Sequence, residues 1–216
     1  QAAAEAARTS LINTYGWTIT DGGGIAEPAF IFEVNTQPNA GYPVSTQYTV
    51  DTWPGFTYNY NIETSDGQTF TNRTSSTAIT FPAVGVYEIK ITGTFPRFRS
   101  GGVLYNPQKL TRILNWGSIQ WESFNQSFEG CLFLTDIPAA DVPNLSLVID
   151  MYQAFNGCQN LASAVNLPSW DVSGVNNFES TFESCPRLNE PIGSWNTGSA
   201  TTMTRMFYNG SDFNQD

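Results

Sequence analysis

The segment from residue 28 to about residue 98 alternates short β-prone runs with turn-forming residues. The turns are marked by Pro38-Asn39-Ala40-Gly41 and by Ser65-Asp66-Gly67, whose residue types favour tight turns. Several short strands at this spacing predict an antiparallel β-sandwich. The predicted strands are FIFEV at 30–34, QYTV at 47–50, FTYNYNI at 56–62, QTFTN at 68–72, TAITF at 77–81 and VYEIKITGTF at 86–95.

The residues before the sandwich follow another pattern. Residues 1–13 are rich in alanine and favour a helix, which Gly16 would end. Residues 17–20 alternate like a strand, and Asp21-Gly22-Gly23-Gly24 then breaks the chain. We therefore predict three parts: a cap-like helix-strand segment at 1–24, a sandwich at 25–98, and a different region at 99–216.

In this third region, apolar residues recur in four units of similar length. The anchors Phe128, Phe155, Phe182 and Phe207 are spaced by 27, 27 and 25 residues. Other side chains keep a fixed distance from each anchor, which is the signature of a stacked repeat. These columns are Phe124, Met151, Phe178 and Met203; Leu134, Leu161, Leu188 and Phe213; Trp116, Pro143, Trp170 and Trp195; and Cys131, Cys158, Cys185 and Gly210.

The columns have a simple physical meaning. One unit of about 27 residues cannot bury its apolar side alone, but stacked units share a continuous core. An apolar side chain four residues before each anchor predicts one helical turn that faces inward. Val165 and Leu167, two residues apart, predict a short strand on the neighbouring side. The whole chain is thus expected to be mainly β with short helices, and its second half to be a solenoid.

The three cysteines, Cys131, Cys158 and Cys185, occupy one column of the repeat. Neighbouring strands lie about 4.8 Å apart, which is within the Cα range of a disulfide. Stacked side chains point the same way, however, and three thiols cannot all pair. We expect a column of buried free thiols, the usual state of buried cysteine. The alternatives are one disulfide or a metal site, although structural zinc normally takes four ligands.

Charge and composition exclude several classes of function. With 9 basic and 19 acidic residues, the net charge of −10 argues against nucleic acid and anionic lipid as partners. The chain has no histidine, the most common general base and metal ligand. No apolar run approaches the 18 or so residues of a membrane span. We therefore expect no enzymatic activity, no cofactor and no membrane insertion.

Several motifs resemble known surface proteins. AFNGCQNL at 154–161 resembles the AF-x-G-C-x-x-L core of BspA-type leucine-rich repeats. WDVSGVNNF at 170–178 and FNQD at 213–216 resemble segments of related bacterial surface-protein repeats. GTFPR at 93–97, followed by WGSIQW at 116–121, resembles the junction between a PKD-like sandwich and such repeats. The resemblance implies a PKD-like sandwich followed by a leucine-rich-repeat-like solenoid, and it supplies no catalytic residues.

The resemblance also implies a function. It points to a non-enzymatic, extracellular or cell-surface module that adheres to a protein or glycan on a host or neighbouring cell. The alternative is a structural spacer or filament subunit, including a phage virion fibre. Residues 213–216 fall inside a repeat unit, so we expect a longer tandem array, with end-to-end self-association as a possible mode of assembly.

Candidate ligand contacts follow from the same pattern. Trp53 belongs to the sandwich, whereas Tyr152, Glu179 and Tyr208 fall on the predicted helical turns, where solenoids often bind their partners. Each of the four also has a purely structural interpretation. Glu63 and Asp66, in and beside a turn, could contribute oxygen ligands to calcium, although Asp-Gly is far more often only a turn.

Overall fold

The structure, a computed structural model, describes residues 28–39, 41–42, 45–100 and 106–215. The segment at 1–24, for which we predicted a cap, lies outside these residues. Within them the chain is mainly β, with two short 3-10 helices at Pro107–Lys109 and Leu167–Ser169. The strands are β1 Phe30–Asn35, β2 Gln47–Val50, β3 Asn59–Thr64, β4 Thr69–Arg73, β5 Thr77–Thr80, β6 Val86–Thr94, β7 Leu110–Asn115, β8 Asp136–Ile137 and β9 Ser163–Ala164.

The six strands predicted between residues 28 and 98 are confirmed as β1 to β6. Their alternating pattern is the cause, because every second side chain of a strand faces the same side. In β1, Phe30, Phe32 and Val34 are fully buried, whereas Ile31 and Glu33 between them are partly exposed. The inward set packs on the second sheet, in which the ring of Tyr48 lies 5.8 Å from that of Phe32.

The main sheet has seven strands in the order β4-β3-β6-β1-β7-β8-β9. Strands β4, β3, β6, β1 and β7 are antiparallel neighbours, whereas β7, β8 and β9 are parallel. Strands β2 and β5 form a separate antiparallel pair. The sheet is therefore mixed, and it changes from antiparallel to parallel at β7.

Strand β7 was absent from our prediction, and it connects the two regions. It pairs with β1 on one edge and with β8 on the other. The sheet and the apolar core thus continue across the boundary that we predicted after residue 98. The β1–β7 register shifts twice, and Leu110 and Ile113, three residues apart, are the buried positions. Such irregular pairing removes the two-residue alternation that identifies a strand in a sequence.

The four repeat units stack through backbone hydrogen bonds. We number them unit 1 to unit 4 by their anchors Phe128, Phe155, Phe182 and Phe207. The same register joins unit 2 to unit 3 and unit 3 to unit 4. From unit 1 to unit 2, the N–H groups of Phe124, Gln126, Phe128 and Gly130 donate to the carbonyls of Asp150, Tyr152, Ala154 and Asn156 over 2.8–3.2 Å.

The predicted helical turn at each anchor is wrong. Each unit instead makes a run of turns with two left-handed residues four apart, such as Gln126 (φ 54°) and Gly130 (φ 70°) in unit 1. Their N–H groups donate to the next unit, so they cannot donate to a carbonyl four residues back as in a helix. These backbone groups therefore form hydrogen bonds between units and not within a helix.

The anchor rings form a column through the stack. Their centroids are 4.9 Å apart between units 1 and 2, 5.6 Å between units 2 and 3, and 5.7 Å between units 3 and 4. Phe128, Phe155 and Phe182 are buried, whereas Phe207 is half-buried. Our prediction for Val165 is wrong: it is 60% exposed, and the core at this point is formed by Ala164 and Leu167.

The start of the stack is closed by residues 96–100. The ring of Phe98 stacks on that of Phe128 at 5.2 Å, in the place of an anchor from an earlier unit. The N–H of Ser100 donates to the carbonyl of Ser127 over 3.1 Å, as a preceding unit would. We call residues 96–100 the cap. It satisfies groups that otherwise face solvent at the end of a stack.

Unit 4 has a different edge. Among the described residues, no group accepts a hydrogen bond from the N–H groups at the donor positions of unit 4, which are those of Met203, Arg205, Phe207 and Asn209. The same positions in units 1 to 3 all donate to a following unit. The edge of unit 4 therefore presents donors, and the carbonyls of Met203, Arg205 and Phe207 are used within its own turns.

No helix in the part of the chain that the structure describes is long and apolar enough to cross a membrane.

Candidate functional site

Arg97 lies between the region of strands β1 to β6 and unit 1, and it was absent from our prediction of contact residues. Its side chain is buried, with 6% of its surface exposed. One terminal nitrogen, Nη2, donates to the carbonyl of Asn125 over 2.7 Å and to its Oδ1 over 3.3 Å. Burial, and then the neighbouring charge of Arg99, lowers the pKa of the Arg97 guanidinium below its ordinary value. Arg97 thus completes the cap, in which it takes the place of a backbone donor.

Trp53 lies against this arginine and against Arg99. The guanidinium carbon of Arg99 is 4.0 Å from the ring centre of Trp53, and that of Arg97 is 4.9 Å away. The backbone N–H of Trp53 donates to the hydroxyl of Tyr58, which in turn donates to the carbonyl of Arg97. The ring remains 37% exposed. A partly exposed tryptophan is therefore held in place by two cation–π contacts.

Two further aromatic residues, Tyr58 and Phe56, lie near Trp53 and Arg97. Tyr58 is 5% exposed, and its hydroxyl is occupied by the two hydrogen bonds just described. Tyr58 therefore fixes the backbone of Trp53 through its buried hydroxyl. Phe56 is partly buried, with its ring centre 5.7 Å from the guanidinium carbon of Arg97.

From Arg97 a line of contacts continues onto the stack. The side-chain amide of Asn125 donates to Asp150 Oδ2 over 2.7 Å, and the N–H of Tyr152 donates to Asp150 Oδ1 over 2.9 Å. Asn125, Tyr152 and Glu179 hold the same position in units 1, 2 and 3, and all three are half-buried. Contacts thus connect Trp53 to Tyr152 through Arg97, Asn125 and Asp150, and Glu179 holds the equivalent position one unit further. We call the surface formed by Trp53, Asn125, Tyr152 and Glu179, together with the buried Arg97 beneath it, the junction strip.

A local turn motif positions the strip in every unit. A side-chain oxygen of Ser123, Asp150, Asn177 or Thr202 accepts the backbone N–H two residues later, at 2.9–3.3 Å. Serine, aspartate, asparagine and threonine are the residue types that make such turns. This polar column five residues before each anchor is the sequence signal that could have located the strip.

Tyr208, the fourth predicted contact, lies elsewhere. It is 52% exposed and follows the anchor of unit 4, in the column that contains Glu183 in unit 3. The guanidinium carbon of Arg205 is 4.5 Å from its ring centre, and Arg205 forms an ion pair with Glu183 at 2.8 Å. The structure therefore places Tyr208 outside the junction strip.

The cysteine column is buried, and its three thiols are free. The thiols of Cys158 and Cys185 donate to the carbonyls of Phe128 and Phe155, one unit earlier, over 3.2 and 3.0 Å. Cys131 shares a hydrogen bond of 3.1 Å with the hydroxyl of Ser100 in the cap. Burial raises the pKa of Cys131 to about 12, so its thiol stays protonated at neutral pH.

The structure does not bring Glu63 and Asp66 together as calcium ligands. The Asp66 carboxylate accepts hydrogen bonds from Thr64 and from Gln68 within its own turn. Slight burial acts to raise the pKa of Asp66, but these hydrogen bonds outweigh it and lower the pKa below its ordinary value. Glu63 lines a separate cavity. Among the described residues, no group of three or more possible ligands could hold a metal ion.

That cavity lies on the outer face of the main sheet and was not predicted. Its volume is about 660 Å³. Glu63 and Lys90, which face each other in the β3–β6 register, give it one charge of each sign. The remaining lining residues are Pro28, Ala29, Ile31, Asn61, Thr92, Gly93 and Asn115.

Comparison with known proteins gives one match. Residues 113–216 match the family described as "Mycoplasma protein of unknown function, DUF285". Neither the curated proteins nor the solved structures provide a match. The similarity covers just under half of the chain, begins inside β7 and includes all four stacked units. The stacked part of the chain is therefore similar to a family whose function is not described.

Proposed function

We propose that this chain is a non-enzymatic extracellular module that recognises a protein or glycan on a host or neighbouring cell, and that the junction strip is its binding surface. The observation that carries the proposal is the partly exposed Trp53, which contacts Arg97 and Arg99 and is connected to Tyr152 through hydrogen bonds of Asn125 and Asp150. Tryptophan, tyrosine and arginine are the residue types most enriched at binding hot spots. Placement at the junction of two regions suits a recognition site.

We infer that residues 25–98 are a PKD-like sandwich and that residues 99–216 are a BspA-type leucine-rich-repeat solenoid. The regular ladder from unit to unit and the column of anchor rings support the solenoid. The motifs at 154–161 and 170–178 support the family, and with it a location on a cell or virion surface.

The test is a binding screen with matched variants. Wild-type protein is applied to a glycan array and to an array of cell-surface proteins, together with Trp53→Ala and Tyr208→Ala. We expect one class of ligand to be retained by wild type and by Tyr208→Ala but lost by Trp53→Ala, because Tyr208 is an exposed aromatic outside the strip. Equal binding by all three folded proteins contradicts recognition at the strip.

A structural spacer or fibre subunit is the second candidate. The ladder supports it, because at least four backbone hydrogen bonds at each interface make a stiff, extendable stack. Simple head-to-tail growth meets an obstacle: the carbonyls of Asn125 and Ser127 already accept from Arg97 and Ser100. A copy that continues the ladder must displace the cap. Filaments in electron micrographs, with no ligand in either array, favour this function over recognition.

A further inference from the structure

We propose that Arg99, Trp53 and Arg97 form a subsite for the carboxylate of an acidic sugar, so that the ligand of the strip is a glycan with a single carboxylate. This inference rests on the proposed recognition function. It goes beyond that function because it names the chemical class of the ligand and the residue that binds its carboxylate.

Positive charge is concentrated at Trp53. The chain is strongly acidic, with 9 basic against 19 acidic residues, yet two guanidinium groups meet at one tryptophan. Elsewhere Arg112 pairs with Asp136 at 3.0 Å and Arg205 pairs with Glu183 at 2.8 Å. Within the described residues, neither Arg97 nor Arg99 forms an ion pair with a carboxylate.

Part of the hydrogen-bonding capacity of Arg97 and Arg99 is not used by the described residues. Among the described residues, no group accepts a hydrogen bond from the buried Nε atoms of Arg97 and Arg99. Burying a charged donor without a partner is costly, and such groups normally obtain a partner from protein, water or ligand. Arg97 is more than nine-tenths buried and uses Nη2 on Asn125. The half-buried Arg99 therefore offers the more accessible guanidinium.

The geometry of a guanidinium explains why an anion fits here. The guanidinium carbon of Arg99 lies 4.0 Å over the ring of Trp53, and its N–H donors lie in the plane of the guanidinium. The contact with the ring thus holds Arg99 in place without using a donor of a hydrogen bond. Two parallel donors match the two oxygens of a carboxylate.

The rest of the strip selects against polyanions. Asp150 and Glu179 are acidic, and the net charge of −10 repels a ligand that carries many negative charges. Tyr152 provides a half-exposed phenol, a group that suits sugar hydroxyls and sugar faces. A glycan with one carboxylate at Arg99 and neutral sugars toward Tyr152 fits both the guanidinium and its acidic surroundings. A peptide with several acidic side chains does not fit the acidic surroundings.

The experiment uses ligands that differ only in the carboxylate. Binding of the whole chain to lactose-based oligosaccharides that end in sialic acid or glucuronic acid is measured by calorimetry. Each is compared with its carboxyl-reduced form, and a hexaglutamate peptide is included. We expect an acid-ended glycan to bind at least about tenfold more tightly than its reduced form, which is the effect of one charge-assisted hydrogen bond.

Matched variants assign the effect to Arg99. Arg99→Gln should remove the tenfold preference, whereas Arg187→Gln, which removes the same charge from an exposed residue of unit 3, should retain it. Thermal unfolding shows that both variants are folded, and Arg99→Lys tests the need for a planar guanidinium.

The outcomes separate this inference from the proposed function. If acid-ended and reduced glycans bind equally, or if Arg99→Gln and Arg187→Gln weaken binding equally, the carboxylate subsite is wrong although glycan recognition stands. Binding of hexaglutamate in preference to every glycan overturns the inference in favour of a protein ligand. Absence of binding to every glycan also overturns it, and recognition of proteins is then decided by the array of cell-surface proteins.

Discussion

Units 1 and 4 share one sequence pattern but occupy different surroundings. In unit 1, Trp116 and Phe128 are fully buried, and residues 96–100 close the outer side. In unit 4, Trp195 retains 8% exposure and Phe207 is only half-buried. Units with equivalent residues in the repeat positions therefore differ in stability, because the burial of each unit depends on the residues that pack on its outer side. The stack should therefore be firm at the cap and should loosen toward unit 4.

The largest expected difference concerns the anchor rings. Phe155→Ala should lower the free energy of unfolding by about 3–5 kcal/mol, the usual cost of removing a buried phenylalanine. Phe207→Ala should cost clearly less, because its ring is half-buried and can relax. Urea denaturation with tryptophan fluorescence measures both. Equal losses would show that unit 4 is as firmly packed as unit 2.

The second largest effect on stability is expected at the cap. Arg97→Met removes the donor to Asn125 and should cost about 1–3 kcal/mol, since the carbonyl is left without its partner. Arg187→Met, at an exposed position, is the control. Hydrogen exchange should then show faster opening of unit 1 only in the Arg97 variant. Unchanged exchange in unit 1 would mean that Phe98 and Ser100 close the stack without the arginine.

Alkaline pH should lower the stability of the units that contain the buried thiols. Burial raises the pKa of Cys131 to about 12 and raises that of Cys158, whereas an unfolded thiol ionises near pH 8.5, so the unfolded state alone loses protons first. The contribution to stability is complete below about pH 8.5 and is lost as pH rises toward 12. The loss is at most about 1.4 kcal/mol per pH unit for each thiol.

Urea unfolding at pH 7 to 10 of wild type and Cys131→Ala measures this slope. The variant should lose less stability above pH 8.5, because one ionising thiol is gone. Tyr48, whose pKa burial also raises, adds to the slope only near pH 10 and above, and it does so in both proteins. Identical slopes would place Cys131 in contact with solvent and contradict its role beneath the cap.

The smallest effect is expected at the surface of unit 4. Arg205 and Glu183 form an ion pair between units 3 and 4, but the arginine side chain is more than half exposed. Glu183→Gln should change the free energy of unfolding by less than about 1 kcal/mol, as is usual for exposed pairs. A larger loss would show that this ion pair, and not the backbone ladder, holds the last unit.

The parts of the fold that sequence alone predicted are those that follow a simple period. Strands β1 to β6 alternate along the chain, and the four anchors recur at the length of one unit, so both were visible in the sequence. Strand β7 was missed because its buried residues, Leu110 and Ile113, are three apart where the pairing with β1 is irregular. The helical turn was wrong because a spacing of four also fits two successive turns.

The candidate site was only partly visible, for a related reason. Trp53 and Tyr152 stood out as aromatic residues, but nothing in the spacing connects them. Their link is Arg97, whose guanidinium replaces the backbone donor of a missing unit and contacts Trp53 at the same time. A side chain that substitutes for backbone leaves no periodic signal, so only the three-dimensional arrangement reveals it.

The shared strand β7 has a mechanical consequence. Because β7 pairs with β1 on one edge and with β8 on the other, tension that pulls the sandwich from the stack acts on backbone hydrogen bonds of one sheet. Several such bonds must then rupture before the two regions separate. A pulling force applied at the junction is therefore transmitted directly into the main sheet.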